Sequence, residues 1–293
     1  MFLNLEGENS LKKGTLLSII FLLVFGLLLA ACGNGGNSGS EKTSSNSGSS
    51  GNDKGKTIIL GADTTFPPFE SEQNGHVQGF DIDLIKAIAK AEGFNVKFKT
   101  MAFDGLIPSL QANSIDVAVA GITIKKSRME SVNFSNAYYK SGLSVLVRKD
   151  SDIKGFDDLK GHIIATKKAT SSVDYATSHG IDAKNIKQFQ NIDQAYQTLV
   201  TGGADAVLFD NPVNADFKAS HDNVKIVGDL LTGEYYGIAV SKKETDLLKK
   251  INDGLQKVTA DGTYQKLFDK YFGGDKNGMV TDVKTPKEVA LDE

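Results

Sequence analysis

The sequence predicts an α/β chain whose body is two similar lobes facing each other across a cleft. Three observations predict it. Apolar, strand-like runs alternate with segments of helical period, the pattern of mainly parallel sheets covered by helices. The segments "LIPSLQANSIDVAVAG" and "AYQTLVTGGADAVLFD" share one order of helix, turn, Asp, apolar strand and polar end. Asp116 stands as far before Gly121 as Asp205 stands before Asp210. Finally, "YYKSGLSVLVRK" and "GEYYGIAVSKK" are extended segments placed to run between the halves. Two crossings make a hinge that can close on a ligand.

Taken in order, the chain begins with Lys12 and Lys13 ahead of an uncharged run from Leu16 to Ala31 that ends "LLLAAC". A basic start, an apolar stretch and small residues before a cleavage point are the parts of a secretory signal. The run is shorter than the ~20 apolar residues of a spanning helix. With Leu29, Ala30 and Ala31 before Cys32, this stretch resembles a bacterial lipoprotein precursor. That resemblance implies cleavage before Cys32, lipidation there with palmitate among the acyl groups, and anchoring to the outer face of the cell membrane. Residues 1–31 are then the signal peptide. Residues 32–56 are the lipidated cysteine and a tether of Gly, Ser and Asn, too poor in apolar surface to order itself.

"TIILGAD" reads as the first strand, and "FDIDLIKAIAKAEGF" as a helix with an apolar stripe at Leu84, Ile85, Ile88 and Ala89. Asp81 is placed to cap that helix and Gly93 to end it. "NVKFKT" is a strand, "DGLIPSLQANS" a short helix and "DVAVAGI" a strand. The alternation continues through "HIIATKK", "SSVDYATSHG", "NIDQAYQTLVTGG", "ADAVLFD" and "VKIVGD". A C-terminal helical stretch from Glu244 to Phe272 returns to the first lobe. The expected division is lobe 1 over 57–142 plus 238–275, lobe 2 over 143–237, and a tail over 276–293.

Composition removes several functions. The 293 residues are 40% apolar with a net charge of -3, and Lys and Arg are scattered, so nucleic acid is not an expected partner. A single cysteine excludes a disulfide framework within the chain and a cysteine metal site. His76, His162, His179 and His221 lack metal-ligand spacing, and neither a G-x-S-x-G elbow nor a G-x-x-x-x-G-K-[ST] loop is present. No metal or cofactor is therefore expected.

The polar strand ends suggest what the cleft takes. "VAVAGITIKKSR" delivers Thr123 and then Arg128 just past a strand. An Arg fork with backbone donors holds a carboxylate, and Gly121 lets a carbonyl approach unobstructed. Asp210, at the matching end of the other lobe, can only accept hydrogen bonds when ionised and suits an ammonium. Together these groups grip both poles of a free α-amino acid. "GADTTFPPF" adds Asp63 and Phe66, and Phe103 follows the second strand. The two rings can be core or can sandwich the ligand's aliphatic part.

Taken together, the motifs "GADTTFPPF", "GFDIDLIKAIA", "MAFDGLIPSLQ", "VAVAGITIKKSR", "FSNAYYKSG", "SSVDYA" and "ADAVLFDNP" make the body resemble a family 3 extracellular solute-binding protein. The resemblance covers roughly Thr57 to Gly273 and implies the type II periplasmic-binding-protein fold with a two-strand hinge. It also implies capture of a free polar L-amino acid for an ABC importer, whose membrane subunits are the partner, by a monomer that touches the membrane only through its lipid. Residue by residue, it implies that Arg128 and the amides of Thr123 and Ser171 hold the α-carboxylate. Asp210, the Thr123 hydroxyl and the Gly121 carbonyl would hold the ammonium. Phe66 and Phe103 would cover the side chain, with Asp63 and Lys167 reading its tip and Lys168 a competing lysine. Among subgroups the glutamine receptors are most similar, although "KKATSS" stands where they have "KSGTGS", and Phe209 where some have His. Glutamine also fits the residues, since an amide both donates to Asp63 and accepts from Lys167. Glutamate or a basic amino acid is the alternative ligand. An enzyme such as a cyclic amino-acid dehydratase, or a sensing domain, is the alternative use of the fold.

Overall fold

The computed structural model describes residues 55–292 of the chain; the expected signal peptide, Cys32 and nearly all of the tether lie outside them. β1 (Thr57–Ala62) buries Ile58, Leu60 and Ala62. A small antiparallel sheet follows, made of β2 (Thr65–Phe66), β3 (Glu70–Gln73) and β4 (His76–Gln78). α1 (Phe80–Glu92) buries the expected stripe and ends at Gly93, whose φ of 73° is the left-handed turn that glycine adopts without a Cβ clash. Its start departs from expectation. Gly79, not Asp81, is the N-cap. Asp81 faces the core instead, accepting the Gly121 amide at 2.9 Å and the Tyr138 hydroxyl at 2.7 Å. A buried carboxylate is held where donors are fixed for it, and two fixed donors outweigh a cap that water can replace.

The first lobe continues through β5 (Asn95–Thr100), α2 (Leu106–Gln111), β6 (Val117–Ala118), α3 (Lys126–Ser131) and β7 (Asn133–Phe134). β8 (Tyr139–Ser141) then leaves it. The second lobe comprises β9 (Leu143–Arg148), β10 (Ile164–Lys167), α4 (Ser171–Ser178), β11 (Ile186–Phe189), α5 (Ile192–Val200), β12 (Ala206–Asp210), α6 (Asn211–Ala219) and β13 (Val224–Val227). β14 (Glu234–Tyr236) returns, pairing antiparallel with β8. These paired strands are the two crossings. β15 (Ala239–Val240), α7 (Thr245–Ala260), α8 (Thr263–Phe272) and α9 (Pro286–Val289) complete the chain.

Two five-stranded sheets result, ordered β5-β1-β6-β15-β7 and β11-β10-β12-β9-β13. Each is mixed. β1, β5 and β6 run parallel, as do β10, β11 and β12. The strands reached from the hinge, β15 and β9, insert antiparallel, because the chain enters each lobe from the cleft side. α7 packs on α1 so closely that a Cβ on Gly254 would lie 2.8 Å from Ile88.

An aromatic cluster fixes the hinge to the first lobe. Tyr139 and Tyr236 stack at 5.5 Å between centroids, and both rings meet Phe69, at 4.8 and 5.4 Å. Such pairs contribute about 0.5–1.5 kcal/mol beyond their area. The C-terminal residues also bind this lobe. The Ala137 amide donates to the Lys284 carbonyl at 2.9 Å, Leu291 donates to Ile124 at 3.0 Å, and Lys126 donates to Leu291 at 3.1 Å. Among the described residues no helix is long and apolar enough to cross a membrane.

Candidate functional site

The ends of β1, β10 and β12 and the loop after β6 open onto one space between the lobes. A narrow cavity of about 10 Å³, room for roughly one water, lies there, lined by Phe66, Phe103, Gly121, Thr123, Arg128, Lys167, Ser171 and Asp210, together with Thr170. Eight of the nine residues expected at the site are thus brought together. A wider depression behind the hinge, bordered by Lys140, Asn211, Asp216 and Asp275, contains none of them.

Thr123 sits on a segment bridged to Tyr236 of the hinge. The ladder bonds there come from the amides of Ile124 at 2.8 Å and Gly237 at 3.1 Å. By the alternation of an antiparallel pair, the Thr123 amide points away from the ladder. Arg128, in the first turn of α3, donates to the Thr123 carbonyl at 2.9 Å and, across the cleft, to the Ala169 carbonyl at 3.0 Å. Its guanidinium lies 5.4 Å from the Phe103 ring centroid, a cation–π distance. Ala169 has a φ of 62°, a conformation that "KSGTGS" would satisfy with glycine and that costs alanine about 1–2 kcal/mol.

Gly121 serves the site in a second way. Its φ is 51°, and a Cβ built on it would lie 2.3 Å from the Phe66 ring. The missing side chain is the room that Phe66 occupies. Phe66 in turn meets Phe209 of the second lobe edge-on at 5.7 Å. Phe209, where some relatives of this type have His, is wholly buried beneath the site.

The side-chain end differs from expectation. Asp63 does not line the cavity. One of its oxygens accepts the Thr65 amide at 2.8 Å and the Thr65 hydroxyl at 2.7 Å. The other accepts the Phe103 amide at 3.0 Å and lies 2.7 Å from Lys167 Nζ. A carboxylate with four partners has no lone pair to offer a ligand. Lys167 does line the cavity, 1% exposed, bonded to Asp63 and to the Thr65 hydroxyl at 2.9 Å. Lys168 points out and pairs with Asp104 at 2.9 Å.

Ser171 opens α4, with Thr170 as its N-cap. The Thr170 hydroxyl donates to the Lys167 carbonyl at 2.7 Å, which ties the helix start to the end of β10. Asp210 ends β12 and receives the Tyr236 hydroxyl. Burial and then the neighbouring Glu234 carboxylate push Asp210 up to about 8, against the pull of Tyr236, Arg128 and Lys167. A cation placed beside such a group favours its ionised form.

Sequence reasoning missed Glu234. It is wholly buried on the hinge, accepting the Thr123 hydroxyl at 2.8 Å, the Ser171 hydroxyl at 2.9 Å and the Thr232 hydroxyl at 3.0 Å. The signal is an acidic residue, Glu234, in the second crossing segment "GEYYGIAVSKK". Also missed was the buried carboxyl pair of Glu70 and Asp81 behind Gly121. Burial raises both, Asp81 to about 6.

The groups as placed can bind and orient. The chain matches the bacterial extracellular solute-binding proteins, family 3, over residues 58–274. It is 34% identical over 276 residues to an ABC transporter glutamine-binding protein of Bacillus subtilis, covering 90% of this chain and 99% of that one. A probable histidine-binding protein of Neisseria gonorrhoeae is 34% identical over 254 residues, 84% and 91% of the two chains. Among solved structures, an ancestral arginine-binding protein bound to glutamine is 43% identical with a TM-score of 0.70, covering 74% of this chain and 98% of that one.

Proposed function

This chain belongs to the bacterial extracellular solute-binding proteins of family 3, and from that premise we propose that it captures free L-glutamine by cleft closure and delivers it to an ABC importer. The carrying observation is Lys167. An ammonium has three donors, and Asp63 and Thr65 take two. The third is left for an acceptor in the cavity. Because Asp63 already balances the charge, the acceptor that fits is a neutral one, such as an amide oxygen. A guanidinium has no acceptor to give, and a carboxylate would add an unbalanced buried charge.

At the other pole, Arg128 with the Thr123 and Ser171 amides supports a carboxylate. Asp210, the Thr123 hydroxyl and the Gly121 carbonyl support an ammonium. Phe66 and Phe103 flank the aliphatic part. The receptor acts as a monomer on the outer face of the membrane, held by a lipid on Cys32 through its tether. It is a binder and not a catalyst, since every polar group assigned in the cleft has a holding role.

A second reading, a basic amino acid, is favoured by the 43% identity to an arginine-binding protein. A thermal-shift panel of the twenty amino acids separates the two, because a ligand of the folded state raises its apparent stability. L-glutamine should give the largest shift. A larger shift with arginine, lysine or histidine would replace the first reading with the second, and conversion of any amino acid during incubation would replace both with an enzyme. For the anchor, Cys32→Ser should leave the protein unlipidated and released from the membrane fraction. Continued labelling by a fatty-acid analogue would count against it.

A further inference from the structure

Glu234 is placed as no other acidic residue in the described chain is. It belongs to the hinge, yet one of its oxygens accepts a hydroxyl from each lobe, Thr123 at 2.8 Å and Ser171 at 2.9 Å. Its other oxygen accepts Thr232 at 3.0 Å. Three neutral hydroxyls are a modest return for burying a carboxylate, and no Lys or Arg pairs with it among the salt bridges of the described residues. A group held at that cost is doing something other than stabilising the fold.

Each hydroxyl has a single proton. Once Thr123 Oγ1 and Ser171 Oγ give theirs to Glu234, both oxygens can only accept from whatever enters the cavity. A donor satisfies that, and beside two carboxylates a cationic N–H donor does so best. Asp210, already part of the ammonium pole, feels the same carboxylate. We propose that Glu234 is a positioning and specificity-determining residue: from the hinge it fixes the Thr123 and Ser171 hydroxyls as acceptors and joins Asp210 in an anionic pair that requires the ligand's ammonium. The inference rests on the amino-acid receptor reading but not on glutamine being the amino acid.

The pH dependence follows. The charged and titratable groups facing Asp210 are Glu234 and Tyr236 from β14, Arg128 from α3 and Lys167 from β10, with Tyr139 and Tyr196 farther off. A ligand ammonium favours ionised Asp210, so binding releases a proton and affinity rises with pH towards about 8. Without the Glu234 charge, Asp210 ionises at lower pH and the rise moves down.

The test is calorimetry from about pH 5.5 to 8.5 on the parent, Glu234→Gln and Glu234→Asp, using L-glutamine or whichever of the twenty amino acids the parent binds best. Glu234→Gln keeps the shape and removes the charge. It should bind about tenfold more weakly at pH 8 and show its affinity rise at lower pH. Glu234→Asp keeps the charge but cannot reach both hydroxyls. It should also lose about tenfold, with its rise nearer the parent's. A merely structural role would change melting temperature and leave the pH profile in place. Variants that bind within about twofold of the parent, with an unmoved profile, overturn the assignment. If Glu234→Gln does not fold, Glu234→Asp decides on the same criterion. A parent that prefers another amino acid removes only glutamine, and a parent that binds none of the twenty removes both readings.

Discussion

At the scale of single residues, the site is built by side chains that are present and one that is absent. Arg128 reaches both lobes through the Thr123 and Ala169 carbonyls, so it ties the cleft shut at the pole proposed to take the carboxylate. Arg128→Ala should lower amino-acid affinity at least about a hundredfold, since each lost hydrogen bond to a charged group costs roughly 1.5–3 kcal/mol. Arg128→Lys should recover little, because an ammonium cannot make two divergent bonds in one plane. Titration calorimetry checks both, and near-parental affinity in Arg128→Ala would remove this residue from the site. Gly121 is the absent side chain. Gly121→Ala forces a Cβ to 2.3 Å from Phe66 and a methyl into a left-handed backbone. Overpacking and the backbone term together should cost about 2–4 kcal/mol of stability. The displaced ring should weaken binding, read from denaturant unfolding and calorimetry on the same variant.

At the scale of elements, the segment after Gly274 is a strap rather than an appendix, although the family match ends there. It lays Leu291 beside Lys125 and ties the Ile124–Lys126 stretch from outside through two backbone bonds. That stretch carries Thr123 at one end and leads into α3 and Arg128 at the other. Val289 and Ala290 add apolar contact to the core around Ile122 and Ile124. Deleting residues 284–293 removes the Lys284 and Leu291 bonds, each worth about 0.5–1.5 kcal/mol net. The shortened protein should unfold at lower urea. Its affinity should fall more than that of a variant with equal stability loss in lobe 2, because the strap supports the segment proposed to bind the carboxylate. Equal affinities at matched stability would make the strap a stabiliser only.

At the scale of the whole molecule, burial of carboxylates sets the pH response. Asp210 is raised to about 8 and Asp81 to about 6, both above the ordinary carboxylate value of 3.8. Between those limits the folded chain binds more protons than the unfolded chain. The slope of stability with pH is then negative. The contribution is fully present below about 4 and is lost as pH rises through 6 and then 8. Without ligand, the melting temperature should therefore fall from pH 5 to pH 8 as these two groups ionise. The shift produced by a bound amino acid should grow over the same interval if, as proposed, its ammonium pairs with ionised Asp210. Thermal melts at both pH values, with and without ligand, check the two signs together.

The sequence by itself determined the local order and most of the pocket. Hydrophobic period gave the strand–helix alternation, and the two echoing segments put Thr123, Arg128 and Asp210 beyond strand ends where the lobes meet. Those facts depend on near neighbours along the chain. What only the tertiary structure decided were the partners of buried charges. Asp81 turned from a helix cap to a clamp on Gly121, Asp63 was taken up by Thr65, Phe103 and Lys167, and Glu234 became the hinge carboxylate that accepts a hydroxyl from each lobe. A carboxylate's bond partners are chosen by which fixed donors surround it after burial, and apart from Thr65 beside Asp63 and Thr232 beside Glu234 those donors come from residues 40 to 111 positions away. No local pattern encodes such a meeting, because the cost of an unpaired buried charge is set by the folded surroundings and not by the chain beside it.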